Sequence, residues 1–151
     1  MNMQADRDTY ARKGLAGIPR LLSLMDRHPY SPTYGCMDRE YWLCRTTDFP
    51  SSIAQFGVHA LALAWAHDMP DNPYRDHPKI LSCVLAGMDY WTRIQRGDGS
   101  FDEFYPNERG WAGPTGFLLY AMMQSYRLVG QHMDDDLRAR FLRTAERAAV
   151  F

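Results

Sequence analysis

The run IAQFGVHALALAWA, residues 53–66, decides how the rest of the chain is read. Wound at 100° per residue, its apolar side chains cover nearly the whole circumference of a helix. A helix apolar on every side is expected to be buried on every side. A second run of this kind, GFLLYAMM, follows at residues 116–123. The segments around these two are of another sort. Residues 78–95 set Lys79, Ser82, Asp89 and Arg93 on one face and Ile80, Val84, Met88 and Trp91 on the other. Near the C-terminus Leu137, Phe141 and Ala145 oppose Asp135, Arg138 and Arg143. Near the N-terminus Leu15, Ile18, Leu22 and Met25 recur at helical spacing.

Five helices are therefore expected, alternating outer, inner, outer, inner, outer. The first covers about residues 6–27. The second opens at DFPSS, with Asp48 or Ser51 as cap and Pro50 in the first turn, and runs to about His67. The third opens at DHPKI, with Asp76 or His77 as cap, and ends near Gln95. The fourth starts around Pro114 and stops at Gly130, read as a left-handed terminator. The fifth starts in Asp134–Asp136, acids suited to a helix N-terminus. No run alternates with period two, so no sheet is expected. The fold class is all-α, built of antiparallel helical hairpins. Two arrangements fit: a partial (α/α) toroid of about five helices, or a bundle with two central helices.

The chain has 151 residues, a single domain's worth, and 46% of them are hydrophobic. Its net charge of −1 gives no electrostatic reason to expect nucleic acid. The N-terminal segment lacks an apolar leader region, and no apolar run approaches the length of a membrane span. Cys36, Cys44 and Cys83 form no CxxC pair and read as reduced thiols, which points to the cytoplasm. Asp98, Ser100 and Asp102 imitate the first half of a calcium loop, but position twelve would be Arg109, so no metal is expected. No phosphate-binding or dinucleotide motif occurs, and no cofactor is expected.

If neighbouring helices run antiparallel, the two long links, His28 to Phe49 and Arg93 to Trp111, decorate the same end of the array. Long loops in compact domains are commonly functional. The first supplies Arg39, Trp42 and Arg45 to this rim; the second supplies Tyr105, Asn107, Arg109 and Trp111. Aromatic rings stack on sugar faces, and arginine grips a carboxylate in a bidentate fork. The competing reading is that these charges pair with one another and tie the loops together. Ser52, Gln55 and His59 share a narrow stripe of the second helix. They form either the polar floor of a cleft or a set of buried groups satisfied by backbone. His59 is the best single candidate for acid–base work, since its ordinary pKa lies near neutrality.

WTRIQRGDGSF, Trp91 to Phe101, resembles the QW-type repeat of terpene cyclases and other α/α-toroid proteins, with Gln95 and Gly99-Ser100-Phe101 matching. The longer phrases YGCMDREYWLCRTTDFPSSIAQFGVHALALAW (34–65) and RIQRGDGSFDEFYPNERGW (93–111) are similar to the N-terminal α/α-toroid region of bacterial heparinase II/III-like proteins, the uronate polysaccharide lyase-like group. The resemblance implies a toroid that holds an acidic polysaccharide in a cleft. In complete enzymes it implies elimination chemistry, in which a base takes the proton beside the uronate carboxylate. The family's catalytic residues have no match here. The assignment of His59 and Tyr105 as base, with Asn107 or Arg109 on the carboxylate and Arg39, Trp42, Arg45, Gln55 and Trp111 as further substrate contacts, comes from chemistry alone.

Complete toroids hold more helices than this chain. Residues 1–151 are accordingly expected to be part of a larger toroid or an oligomer, weakly active or inactive alone. A homo-oligomer or partner chain would cover the apolar face of an inner helix. A non-catalytic helical interaction module is the alternative from another class. A terpenoid cyclase-like fragment fits less well, because no acid-rich box sits on an inner helix; MDDDL (133–137) opens an outer one.

Overall fold

The computed structural model describes the backbone of residues 3–151 and the side chains from Asp6 onward. Its elements are all helical: α1 (Met3–Leu24), α2 (Gly57–Ala66), α3 (Pro78–Arg93), α4 (Ala112–Val129) and α5 (Asp135–Val150). A single 3-10 turn, Ser52–Phe56, leads into α2, and a short π turn, Glu40–Cys44, lies in the first long link. The one extended pairing among the described residues is a bridge between Phe101 and Trp111.

The starts of these helices follow local chemistry. His77 caps α3, its Nδ1 accepting from the Lys79 N–H at 3.2 Å, with Pro78 in the first turn. Asp134 caps α5, its carboxylate accepting from the Leu137 N–H at 2.7 Å. At the 3-10 turn the expected cap changes hands. Ser51 stands at the capping position but its hydroxyl makes no capping bond. Its own N–H donates instead to Asp38, thirteen residues earlier, at 2.7 Å. Asp48 plays no part. Gly130 also departs from expectation: it is right-handed, at φ −58°, and begins a further 3-10 turn to His132. Its missing side chain makes room for the Tyr126 ring, which would lie 2.7 Å from a Cβ there.

α2 packs against α1, α3 and α4; α4 packs against α2 and α5; α3 packs against α5. α2 and α4 run in the same direction. Ser52, before α2, bonds to Asp102, in the loop before α4, through both its N–H (3.1 Å) and its hydroxyl. At the other end Trp65 meets His132 edge to face, with ring centroids 5.1 Å apart. Both elaborate links thus lie at one end, as their lengths predict.

The core draws on all five helices. Its centre is a run of rings: Phe101 stacks on Trp91 at 5.3 Å, Trp91 meets Phe141 at 5.2 Å, and Phe141 stacks on Tyr126 at 5.1 Å. Each such side chain buried contributes roughly 1.5–3 kcal/mol. The Gln95 amide ties the end of α3 to this centre by donating to the carbonyls of Gly99 and Thr144, both at 2.9 Å.

The two apolar helices are not enclosed on every side. On α4, Phe117 and Tyr120 are 65% and 64% exposed. On α2, Leu63 is exposed, and so is Phe56 just before it. Five helices do not provide enough neighbours: α2 and α4 each keep an arc of circumference that nothing among the described residues covers.

Candidate functional site

The first long link is folded back on itself before it reaches the rim. Asp26 and Cys36 close it: the Asp26 N–H donates to the Cys36 carbonyl at 2.8 Å, and the Gly35 N–H returns to the Asp26 carbonyl at 2.9 Å. The Asp26 carboxylate is buried, which pushes its pKa up. The Ser31 and Thr33 hydroxyls and the His28 N–H more than offset this and hold it below the usual carboxylate value. Thr33 Oγ1 donates at 2.7 Å and the His28 N–H at 3.0 Å. The Cys36 thiol is pushed up to about 11, chiefly by burial, and is inert as a nucleophile.

Gln55 then pins this loop to the core. Its Oε1 accepts from the Met37 N–H at 2.7 Å, and its Nε2 donates to the carbonyls of Gly35 (3.1 Å) and Gly87 (3.0 Å). Both amide hydrogens and the oxygen are spoken for, and the side chain is fully buried. Gln55 is a clasp between the loop, the 3-10 turn and α3, and it presents nothing to a ligand. Asp38 organises the next stretch, accepting from the N–H groups of Glu40 (3.0 Å) and Ser51 (2.7 Å). Trp42 donates its indole N–H to the Leu24 carbonyl at 2.8 Å, closing the C-terminus of α1. Arg45 ends the π turn in the left-handed conformation, φ 54°, and is exposed.

The second link is organised by Asp102. This buried carboxylate accepts from Arg96 Nη1 (3.1 Å), Arg109 Nη2 (3.1 Å) and Nε (3.3 Å), and the Gly110 N–H (3.0 Å). Arg109 also lies over the Phe49 ring, 4.6 Å from its centroid, and so crosses to the first link. Its guanidinium is committed to the loop–loop junction rather than held out for a carboxylate from solution. Asp98, the supposed calcium ligand, accepts from the Ser100 N–H and hydroxyl at 3.0 and 2.6 Å. Among the described residues no group of three potential ligands is arranged to hold a metal.

Between the two links lies a cleft of about 540 Å³. Met37, Phe49 and Ala54 are part of its apolar lining; Arg39, Glu40, Thr46, Thr47, Phe104 and Tyr105 line it as well. Tyr105 sits beside Phe49, with centroids 5.7 Å apart, yet keeps much of its ring exposed. Thr47 Oγ1 is buried and has no hydrogen-bond partner among the described residues. Arg39 is exposed and forms no ion pair among the described residues.

The structure therefore brings Arg39 and Tyr105 together in one cleft. Asn107 is exposed in the second link, outside the cleft lining, and Trp111 is half exposed at the start of α4. His59 does not line the cleft. It lies on α2, half-buried, with Nδ1 3.1 Å from Ser125 Oγ on α4. Ser125 donates its own hydroxyl proton to the Ala121 carbonyl at 2.8 Å, so the His59 Nδ1 carries hydrogen and donates. Burial lowers the His59 pKa and favours the neutral ring. Glu40, Thr46, Thr47 and Phe104 were not singled out from the sequence. No local motif marks them, and only the approach of the second link makes them a wall.

No protein-family model, no curated protein and no solved structure matches the chain. No helix among the described residues is long and apolar enough to cross a membrane.

Proposed function

We propose that the cleft between the two links binds an acidic oligosaccharide of uronate type. In this reading the chain is the saccharide-holding part of a lyase-like (α/α) toroid, weakly active or inactive by itself. One observation carries it. In a single cleft a guanidinium with no ion-pair partner among the described residues (Arg39) and an exposed phenol ring (Tyr105) come together. The ring offers a sugar face a stacking partner, Arg39 offers a carboxylate two parallel donors, and the exposed Glu40 suits sugar hydroxyls. Arg109 takes part only by holding the links together. If elimination occurs, Tyr105 is the base placed to act, because it lines the cleft and His59 does not.

The test is calorimetric titration with an oligogalacturonate and with a neutral cello-oligosaccharide of equal length. The acidic chain is expected to bind and the neutral one to bind at least tenfold more weakly. Arg39→Ala and Tyr105→Ala are each expected to cost about tenfold in affinity. Tyr105→Phe keeps the ring: binding persists, while any formation of unsaturated uronate, followed by its ultraviolet absorbance, disappears. Equal affinity for both sugars, or none for either, overturns the proposal.

A second reading is favoured by the exposed arc of α2 and α4. Leu63, Phe117 and Tyr120 are large apolar groups left in water on the two most apolar helices, with Phe56 just before α2. Such a face suits a helical interaction module covered by a second copy or another chain.

A further inference from the structure

The second half of α5 is unlike the rest of the surface. Arg140, Arg143 and Arg147 fall at i, i+3 and i+7 and therefore share a face. With Thr92 and Thr144 they line a pocket of about 200 Å³ between α3 and α5. We propose that this groove binds an extended phosphate-class polyanion, a chain of two or more linked phosphates.

The two outer arginines are already held. Arg140 Nη2 donates to Asp89 on α3 at 2.7 Å. Arg147 Nη2 donates to the carbonyls of Arg96 and Gly97 at 2.9 and 2.8 Å. Each is fixed by one nitrogen, and its remaining N–H groups are free for a second acceptor. A guanidinium ordered beforehand loses little entropy on binding. Arg143, between them, has no partner among the described residues and is exposed. The nearby acids do not cancel the charge. Asp89 is shared between Arg140 and Arg93, at 2.7 and 3.2 Å. Glu146 is the one acid in residues 141–150 and forms no ion pair among the described residues. The Thr92 hydroxyl donates to the Asp89 carbonyl at 2.7 Å, so Thr92 serves as a wall of the groove and the arginines supply the donors.

Spacing selects the ligand. Arg140 and Arg147 stand about 10 Å apart along the helix axis, at 1.5 Å per residue. Their anchors differ, Asp89 on α3 for Arg140 and the Arg96 and Gly97 carbonyls beyond the end of α3 for Arg147, and so draw the two guanidiniums toward different ends of the groove. One phosphate cannot reach both, whereas linked phosphates span the row with Arg143 at their middle. This site does not depend on the reading of the loop cleft, which lies at Arg39 and Tyr105.

Titration of the whole chain with inorganic phosphate, pyrophosphate and tripolyphosphate at low salt tests the proposal. Affinity is expected to rise along that series. Arg143→Ala is expected to weaken tripolyphosphate binding about tenfold, and Arg143→Glu to abolish it. Since Arg143 forms no hydrogen bond or ion pair among the described residues and is exposed, both variants are expected to melt at the wild-type temperature in the absence of ligand. Arg39→Ala is expected to bind tripolyphosphate as the wild type does. Absence of tripolyphosphate binding, equal affinity for all three anions, retention of binding in Arg143→Glu, or its loss in Arg39→Ala would each overturn the assignment.

Discussion

A Cβ at position 35 would lie 2.0 Å from the Ala86 carbonyl oxygen, and Gly35 has φ +92°. Two independent constraints, a left-handed backbone and direct contact with α3, therefore require glycine. Gly35→Ala is expected to destabilise the fold by about 3 kcal/mol, measured by urea denaturation. His59 makes a prediction about pH. Burial depresses its folded pKa below the ordinary 6.5, so the unfolded chain binds the proton more readily. The stability that the neutral ring contributes is complete above that value and is lost as pH falls below it. His59→Gln is expected to flatten the change in melting temperature between pH 7.5 and pH 5. An unaltered slope would show that the ring is not responsible. At this scale the sequence marks His59 as the titrating residue of interest. It does not mark its partner Ser125, sixty-six positions away, because nothing local relates them.

At the scale of elements the helices are legible where their signals are local. Pro78 after His77 and the acids at Asp134–Asp136 locate the starts of α3 and α5, since a cap acts within one turn. The α2 region is legible as helix but not in its fastening. Asp38 reaches across the link to Ser51, and Gln55 bonds to three carbonyl or amide groups from two other segments. Gln55→Ala strips Met37, Gly35 and Gly87 of those partners in a dry interior. It is expected to cost about 3 kcal/mol and to expose the 26–36 loop to proteolysis. Asp102→Asn removes the charge shared by Arg96 and Arg109 and turns one of two accepting oxygens into an amide nitrogen that faces donors. The variant is expected to lose about 2–3 kcal/mol, with the loss growing as ionic strength falls.

At the scale of the whole molecule the common placement of both links follows from alternating helix direction and link length. The cleft they enclose follows from neither. The arc left open on α2 and α4 predicts association. Sedimentation velocity at rising concentration is expected to show self-association of the wild type, and Phe117→Ser with Tyr120→Ser is expected to hold the chain monomeric. Both residues point into water, so the double variant keeps its fold. A wild type that sediments as a monomer throughout would leave the arc without a homotypic role.

The helical class and the shared end of the long links are properties of the sequence alone. They depend on periodicity, caps and chain length, which act between near neighbours. Which polar residues remain free is a property of the tertiary structure alone. Arg39 and Arg109 look alike in the sequence, as do Gln55 and Asn107. Arg109 is bound because Asp102 and Phe49 converge on it, and Gln55 because three backbone groups surround it. Desolvation of Asp102 and of Gln55 makes those pairings obligatory, and only the packing of distant segments decides which groups are desolvated.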